Sequence, residues 1–149
     1  MIRMATASDE EAILAMAREF VAFTPYHDFL TATDDELRAT IRWFTENATV
    51  FIADANGVAV GMLCAVLTPM WYAPGYKIAT ELAWWVAPSH RRGTAAIRLV
   101  QAYEKWARQS GAAMVSMSNL EVGNSDEVSN MLTRLGYQRT EQTHTKRII

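Results

Sequence analysis

Apolar residues recur along this chain with two different periods, and the changes of period mark its elements. Ile2 to Ala5 is a short apolar opening, followed by Ser8-Asp9-Glu10-Glu11, a capping box that predicts a helix start. Ile13, Leu14, Ala17, Phe20 and Val21 then repeat at helical spacing until Thr24-Pro25 breaks the run. Thr33-Asp34-Asp35-Glu36 repeats the capping signal, and Leu37, Ile41 and Phe44 form the apolar stripe of a second helix. Thr49 to Ala53 and Val58 to Leu67 read as strands around Asp54-Ala55-Asn56-Gly57, whose Asn-Gly pair predicts an antiparallel hairpin.

A loop rich in aromatics, Met70 to Tyr76, leads to a strand over Ile78 to Val86 that stops at Ala87-Pro88. From Thr94 to Ser110 the apolar positions return to helical spacing, with Ser110-Gly111 as the stop. Ala113 to Ser118 reads as a strand and Asn124 to Leu135 as a helix ended by Gly136. Tyr137 to Thr140 and Thr143 to Arg147 read as a last pair of short strands. The order predicts a mixed α/β layered domain in which the strand at 78–86, the helix at 94–110 and the strand at 113–118 form one right-handed crossover. Ligands favour the carboxyl edge of such units, so the chemistry is expected near residues 86–96.

Composition narrows this picture. A chain of 149 residues, half of them apolar and a fifth charged, buries about 70% of its unfolded surface and supports one domain, residues 1–149. The longest apolar run, Val58 to Leu67, is interrupted by Gly61 and falls short of the roughly 20 residues a membrane span needs. The first residues lack the basic-then-apolar layout of a signal peptide, so a cytoplasmic location is expected. Cys64 is the only cysteine, which excludes an internal disulfide and a thiolate zinc site, and it reads as a buried inert thiol. His27, His90 and His144 have no spacing that nominates a metal.

Charge is uneven. Residues 1–54 carry ten acids and four bases, residues 55–149 six acids and ten bases. The C-terminal excess is too small and dispersed for a nucleic-acid groove, where several phosphates are neutralised together. It suits a compact anion. The segment Pro88-Ser89-His90-Arg91-Arg92-Gly93-Thr94-Ala95-Ala96 places two arginines at a helix start, where their charge is unfavourable unless an anion compensates. Gly93, Thr94, Ala95 and Ala96 leave the backbone unshielded, so a diphosphate can approach their N–H groups. The bland alternative is a solvated basic turn before an alanine-rich helix. No Gly-Lys-Ser/Thr follows, and one glycine makes no dinucleotide fingerprint.

In element order and in the segment Val86 to Ala96, the chain resembles the GNAT-type N-acetyltransferase superfamily, particularly its small phage-type and bacterial members. That family's Gln/Arg-x-x-Gly-x-Gly/Ala motif wraps the diphosphate of acetyl-coenzyme A. Arg91 fills the first position and Ala96 the last, with Thr94 where the second glycine stands. The resemblance implies an α/β fold with a mixed, mostly antiparallel sheet flanked by helices. It also implies a coenzyme site at Val86, Arg91, Arg92, Gly93, Thr94, Ala95, Ala96 and Asn124. A second family pattern, Asn-x-x-Ala-x-x-x-Tyr-x-x-x-Gly-Phe, ends correctly at Gly136-Tyr137 but puts Leu132 at the tyrosine that protonates the departing thiolate, and Ser125, beside Asn124, at the asparagine. A thiol pKa of about 8.5 makes the thiolate a tolerable leaving group unaided.

Glu81 is the one acid between Asp54 and Glu104 and lies on the strand entering the turn. The resemblance implies a glutamate there as general base; an exposed strand residue or ion-pair partner is the structural alternative. A backbone N–H near Val86 is the candidate oxyanion donor, and family geometry implies splayed strands whose main chain, at Leu82 to Val86 and Ser116 to Asn119, pairs with pantetheine. Trp71, Tyr72 and Tyr76 either wall an acceptor pocket or, the favoured reading, cover one end of the core. Tyr26, His27 and Asp28 lie where the acceptor site often borders in the resembling family. The expected activity is acetyl transfer from acetyl-coenzyme A to a primary amine of a small molecule or peptide, without a metal, with homodimerisation common in the family. The rival expectation is a non-catalytic acyl-coenzyme A-binding or regulatory module.

Overall fold

The computed structural model describes residues 1–123 and 125–149. Its elements run in the order β1 (Ile2–Met4), α1 (Glu10–Phe23), α2 (Asp34–Asn47), β2 (Thr49–Ala55), β3 (Val58–Met70), β4 (Ala73–Val86), α3 (Ala95–Gln109), β5 (Ala112–Ser116) and α4 (Ser125–Arg134). The strands form one sheet in sequence order, antiparallel from β1 to β4, with β5 parallel to β4. The predicted mixed, mostly antiparallel sheet is the one observed.

Period-two alternation divides the strands between two layers. Val50, Ile52, Met62 and Cys64 pack with Ile13, Leu14, Met16 and Ile41 of α1 and α2. Phe51, Ala53, Leu63, Ala65 and Ala79 pack with Leu99, Tyr103 and Ala107 of α3. Arginine–carboxylate pairs zip α1 to α2: Arg42 to Glu10 at 2.7 Å, Arg38 to Glu11 at 3.0 Å, and Arg18 to Asp34. The β2–β3 turn has Asn56 at φ 56° and Gly57 at φ 86°, left-handed positions that a two-residue hairpin requires and that Asn-Gly accepts at little cost. The Gly57 N–H donates to the Asp54 carboxylate at 2.8 Å.

Several expectations fail for physical reasons. The N-terminal box is built by Thr6 and Asp9 rather than by Ser8. The Asp9 carboxylate accepts from the Thr6 N–H at 2.8 Å and takes the Arg3 guanidinium at 2.7 and 2.8 Å, so the deeper ion pair decides which acid caps. The aromatic loop is instead the tip of a long β3–β4 hairpin. Trp71, Tyr72 and Tyr76 are 88%, 67% and 66% exposed and cover no core. Residues 138–149 form no strands; the stretch has few apolar side chains to bury, and an isolated two-stranded pair is not stable in water. Arg139 instead lies 4.0 Å from Glu121, and the Arg147 guanidinium sits 5.1 Å over the Phe29 ring. Among the described residues no helix is long and apolar enough to cross a membrane.

Candidate functional site

The site begins with an irregularity in β4. Ala83 pairs with Cys64 and Glu81 with Ala65, which leaves Leu82 as an extra residue without a partner on β3. Such a bulge shifts the alternation by one. Glu81 would otherwise share a face with Ala83 and Trp85. It lies instead across from Ala65 on the α3 side, the side taken also by Trp84 across from Leu63.

One residue earlier the sheet forks. The β4–β5 ladder runs from Lys77 opposite Ala112 to Thr80 opposite Ser116 and ends there, so among the described residues the outer edge of β4 from Glu81 to Val86 has no neighbouring strand. Tyr103 of α3 holds the crotch of the fork: its hydroxyl lies 2.6 Å from the Ala79 carbonyl and 3.0 Å from the Ser116 carbonyl. Ala87 donates its N–H back to Val60 on β3 at 2.9 Å. By alternation the N–H of Val86 therefore points to the open edge. Its carbonyl points the same way and accepts from Arg91 Nε at 2.9 Å.

Glu81 stands in this fork, 8% exposed, with one carboxylate oxygen accepting the Ser118 N–H at 3.1 Å. Burial pushes its carboxyl up to about 7, against the opposing pull of that hydrogen bond. A carboxylate that titrates near neutrality can accept a proton and release it again. Beyond Ser118 a cavity of about 80 Å³ opens between Phe20 and Phe23 of α1, Trp84, residues 118–120, Val122, and Ser125 and Val128 of α4.

At the end of β4 a short turn leads into α3. The N–H groups of His90, Arg91 and Gly93 are used within the turn, and the first intrahelical donor is Arg98, to the Thr94 carbonyl at 3.0 Å. The N–H groups of Arg92, Thr94, Ala95, Ala96 and Ile97 have no acceptor among the described residues, and Thr94 supplies no side-chain cap. At Gly93 a Cβ would meet only the His90 carbonyl, at 3.4 Å, so the glycine serves open space rather than backbone strain. Five N–H groups without an acceptor at a helix start are an arrangement that suits an anion.

The two arginines divide. Arg91 folds inward: its guanidinium lies 4.3 Å from the centre of the Trp85 ring and 5.4 Å from that of Phe23, while Trp85 donates to Glu19 at 2.9 Å. It straps the end of β4 to α1. Arg92 is exposed and has no ion pair among the described residues. The structure thus brings Glu81, Val86 and the open amides of Arg92, Thr94, Ala95 and Ala96 to one edge, and it turns the Arg91 side chain away from the helix start. Asn124 lies outside the described residues. Leu132 is buried and offers no proton. The Cys64 thiol is pushed up to about 12 by burial and by the Glu81 charge, as suits an inert core residue. Tyr103 and Trp84 were not legible as site residues, because helical and strand periodicity marks both only as core.

A sheet that forks at a parallel pair, presents an unpaired strand edge and runs into a helix start with open amides defines an α/β domain able to hold an extended, anion-ended ligand. The chain belongs to the Acetyltransferase (GNAT) family, whose sequence model matches residues 13–137. Curated protein sequences give no match. Among solved structures, a transcriptional regulator from Bacillus halodurans C-125 is 18% identical with a TM-score of 0.79, covering 99% of both chains. Aminoglycoside N-acetyltransferase AAC(6')-Iy in complex with CoA is 20% identical with a TM-score of 0.75, over 99% of this chain and 93% of that one. Ribosomal-protein-alanine N-acetyltransferase from Brucella melitensis biovar Abortus 2308 is 13% identical with a TM-score of 0.79, over 99% of both. At these identities the likeness is one of fold.

Proposed function

We propose that residues 1–149 act as one domain that transfers an acetyl group from acetyl-coenzyme A to a primary amine by direct attack. The observation that carries this reading is the buried Glu81 in the fork of a strand that runs into the open amides of α3. The diphosphate sits on the N–H groups of Arg92 and residues 94–97 with the Arg92 guanidinium beside it, and the pantetheine arm lies along the free edge of β4. Asn124 is retained as a coenzyme contact from the family pattern. The CoA-bound aminoglycoside acetyltransferase supports the same cosubstrate.

The amine nitrogen attacks the thioester carbonyl carbon, and the carbonyl electron pair moves onto oxygen, toward the edge N–H near Val86. Glu81, whose carboxyl burial pushes up toward neutrality, takes the amine proton through a water in the fork. Collapse restores the carbonyl and breaks the C–S bond, giving an amide and a thiolate. With Leu132 at the usual tyrosine, Glu81 releases the amine proton to solvent, and the thiolate takes up a proton from solvent as it departs, which restores the ionised base. The acceptor class is a small-molecule or peptide amine, and the single buried thiol suits a cytoplasmic setting.

Leu132 also favours a second reading, a module that binds acyl-coenzyme A without transfer. Calorimetry with acetyl-coenzyme A beside thiol release over a panel of amines separates the two. An enzyme shows amine-dependent release, a module binds without it, and absence of binding refutes both. Gly93→Glu, which sets a carboxylate among the open amides, is expected to weaken acetyl-coenzyme A at least tenfold.

A further inference from the structure

Among the described residues two buried polar side-chain atoms lack a hydrogen-bond partner, the Tyr137 hydroxyl and the indole nitrogen of Trp84, and the second lies beside the fork. The indole N–H of Trp84 is shielded from solvent and has no hydrogen-bond partner among the described residues, although the side chain lines the cavity between α1, α4 and residues 118–122. Buried indole N–H groups are normally paired, because the donor has lost water and gained nothing in return. Two other polar groups around this cavity are engaged: the Asn119 amide N–H donates to the Ser125 carbonyl at 3.3 Å, and the Ser118 N–H holds Glu81 at 3.1 Å. The remaining walls, Phe20, Phe23, Leu120, Val122 and Val128, are apolar. A cavity of this kind fits an uncharged group that carries one hydrogen-bond acceptor.

Resting on the acetyl-transfer reading, we propose that Trp84 is a catalytic residue whose indole N–H donates to the thioester carbonyl oxygen of the acyl donor. The bulge at Leu82 puts Trp84 on the same side of the sheet as Glu81, and Ser118 is common to the cavity wall and to the Glu81 hydrogen bond. Ser118 thus links the proton acceptor to the cavity that Trp84 lines. As the amine adds, the carbonyl pair becomes a full charge on oxygen and the indole bond strengthens. When the pair returns and the C–S bond breaks, the sulfur leaves as thiolate, and the amine proton has passed to Glu81. Carbonyl and charge are stabilised by a group that makes no demand on pantetheine.

The test compares acetyl-coenzyme A with coenzyme A, which differ only in the acetyl group. In protein carrying 15N-labelled tryptophan, the Trp84 indole signal, one of five, is assigned by through-bond correlation to its own backbone amide. Saturation with acetyl-coenzyme A is expected to move it downfield, and coenzyme A is expected to leave it in place. Trp84→Phe, which keeps a ring and removes the donor, is expected to lower kcat about 100-fold, the scale of losing one oxyanion donor, with the acetyl-coenzyme A Kd within about twofold of wild type. Equal shifts with both ligands, no shift with either, or an unchanged kcat would overturn the proposal. If wild-type protein shows no heat of binding with acetyl-coenzyme A, the functional reading falls first and takes this one with it; binding without an acetyl-specific shift sinks the indole assignment alone. The wild-type spectra decide the matter even if the variant does not fold.

Discussion

Replacing Glu81 by glutamine removes a charge from the most buried carboxylate near the fork while keeping the shape that bonds the Ser118 N–H. In the wild type, burial holds this carboxyl near 7 against an ordinary value of 4.5. A general base must be ionised, so its working fraction rises about tenfold per pH unit below 7 and levels off above about 8. The ratio of wild-type to Glu81→Gln kcat/KM, measured from pH 5 to 9 with one amine, cancels the titration of the amine itself. It should be small at pH 5 and rise through 7 to a plateau on the order of 100- to 1000-fold. The same shift has a stability consequence of opposite sense. A folded-state pKa raised above the unfolded one gives a contribution fully present below about pH 4.5 that is lost as pH rises through 7, amounting to roughly 3 kcal/mol. Urea unfolding should therefore show Glu81→Gln gaining on the wild type between pH 5 and 8. A flat activity ratio, or an inflection below pH 5, would refute the base assignment and the burial argument together.

Arg91 and Arg92 should separate by assay: Arg91→Ala is expected to cost about 1–3 kcal/mol in urea unfolding, because it loses a ring contact and a carbonyl bond, whereas Arg92→Ala should leave stability unchanged and weaken acetyl-coenzyme A binding by calorimetry. Tyr103→Phe strips the hydroxyl from two carbonyls at the fork and should lower stability by about 1–3 kcal/mol, with a fall in kcat larger than any change in coenzyme Kd; unchanged unfolding would show that the fork needs no clamp. The Arg3 guanidinium holds the Asp9 carboxyl well below the usual carboxylate range. Its stabilisation is thus complete above about pH 4 and lost as pH falls, and Asp9→Asn should flatten the acid limb of a pH–stability curve.

Much of the architecture is decided by neighbours in the chain. Thr33 and Glu36 close the second capping box on each other, Asn56-Gly57 accepts the left-handed turn, and Gly111 and Gly136 end their helices at φ 76° and 94°. The small residues after Arg92 leave open amides whatever the rest of the fold does. Such features depend on hydrogen bonds a few residues apart, so residue type and spacing suffice to predict them. Family resemblance points to Glu81 and to the turn before α3, but it does not tell which arginine faces outward.

Only the assembled sheet decides the rest. The face on which Glu81 lies depends on the unpaired Leu82, and a bulge is a property of two strands in register. The fork depends on where β5 stops pairing, and the inward turn of Arg91 on an α1 aromatic far away in sequence. Exposure of the hairpin aromatics and the strandless tail follow likewise from what is absent beside them. Periodicity records which side of an element prefers water. It does not record where two elements part, and in this protein the candidate chemistry lies where β4 and β5 separate.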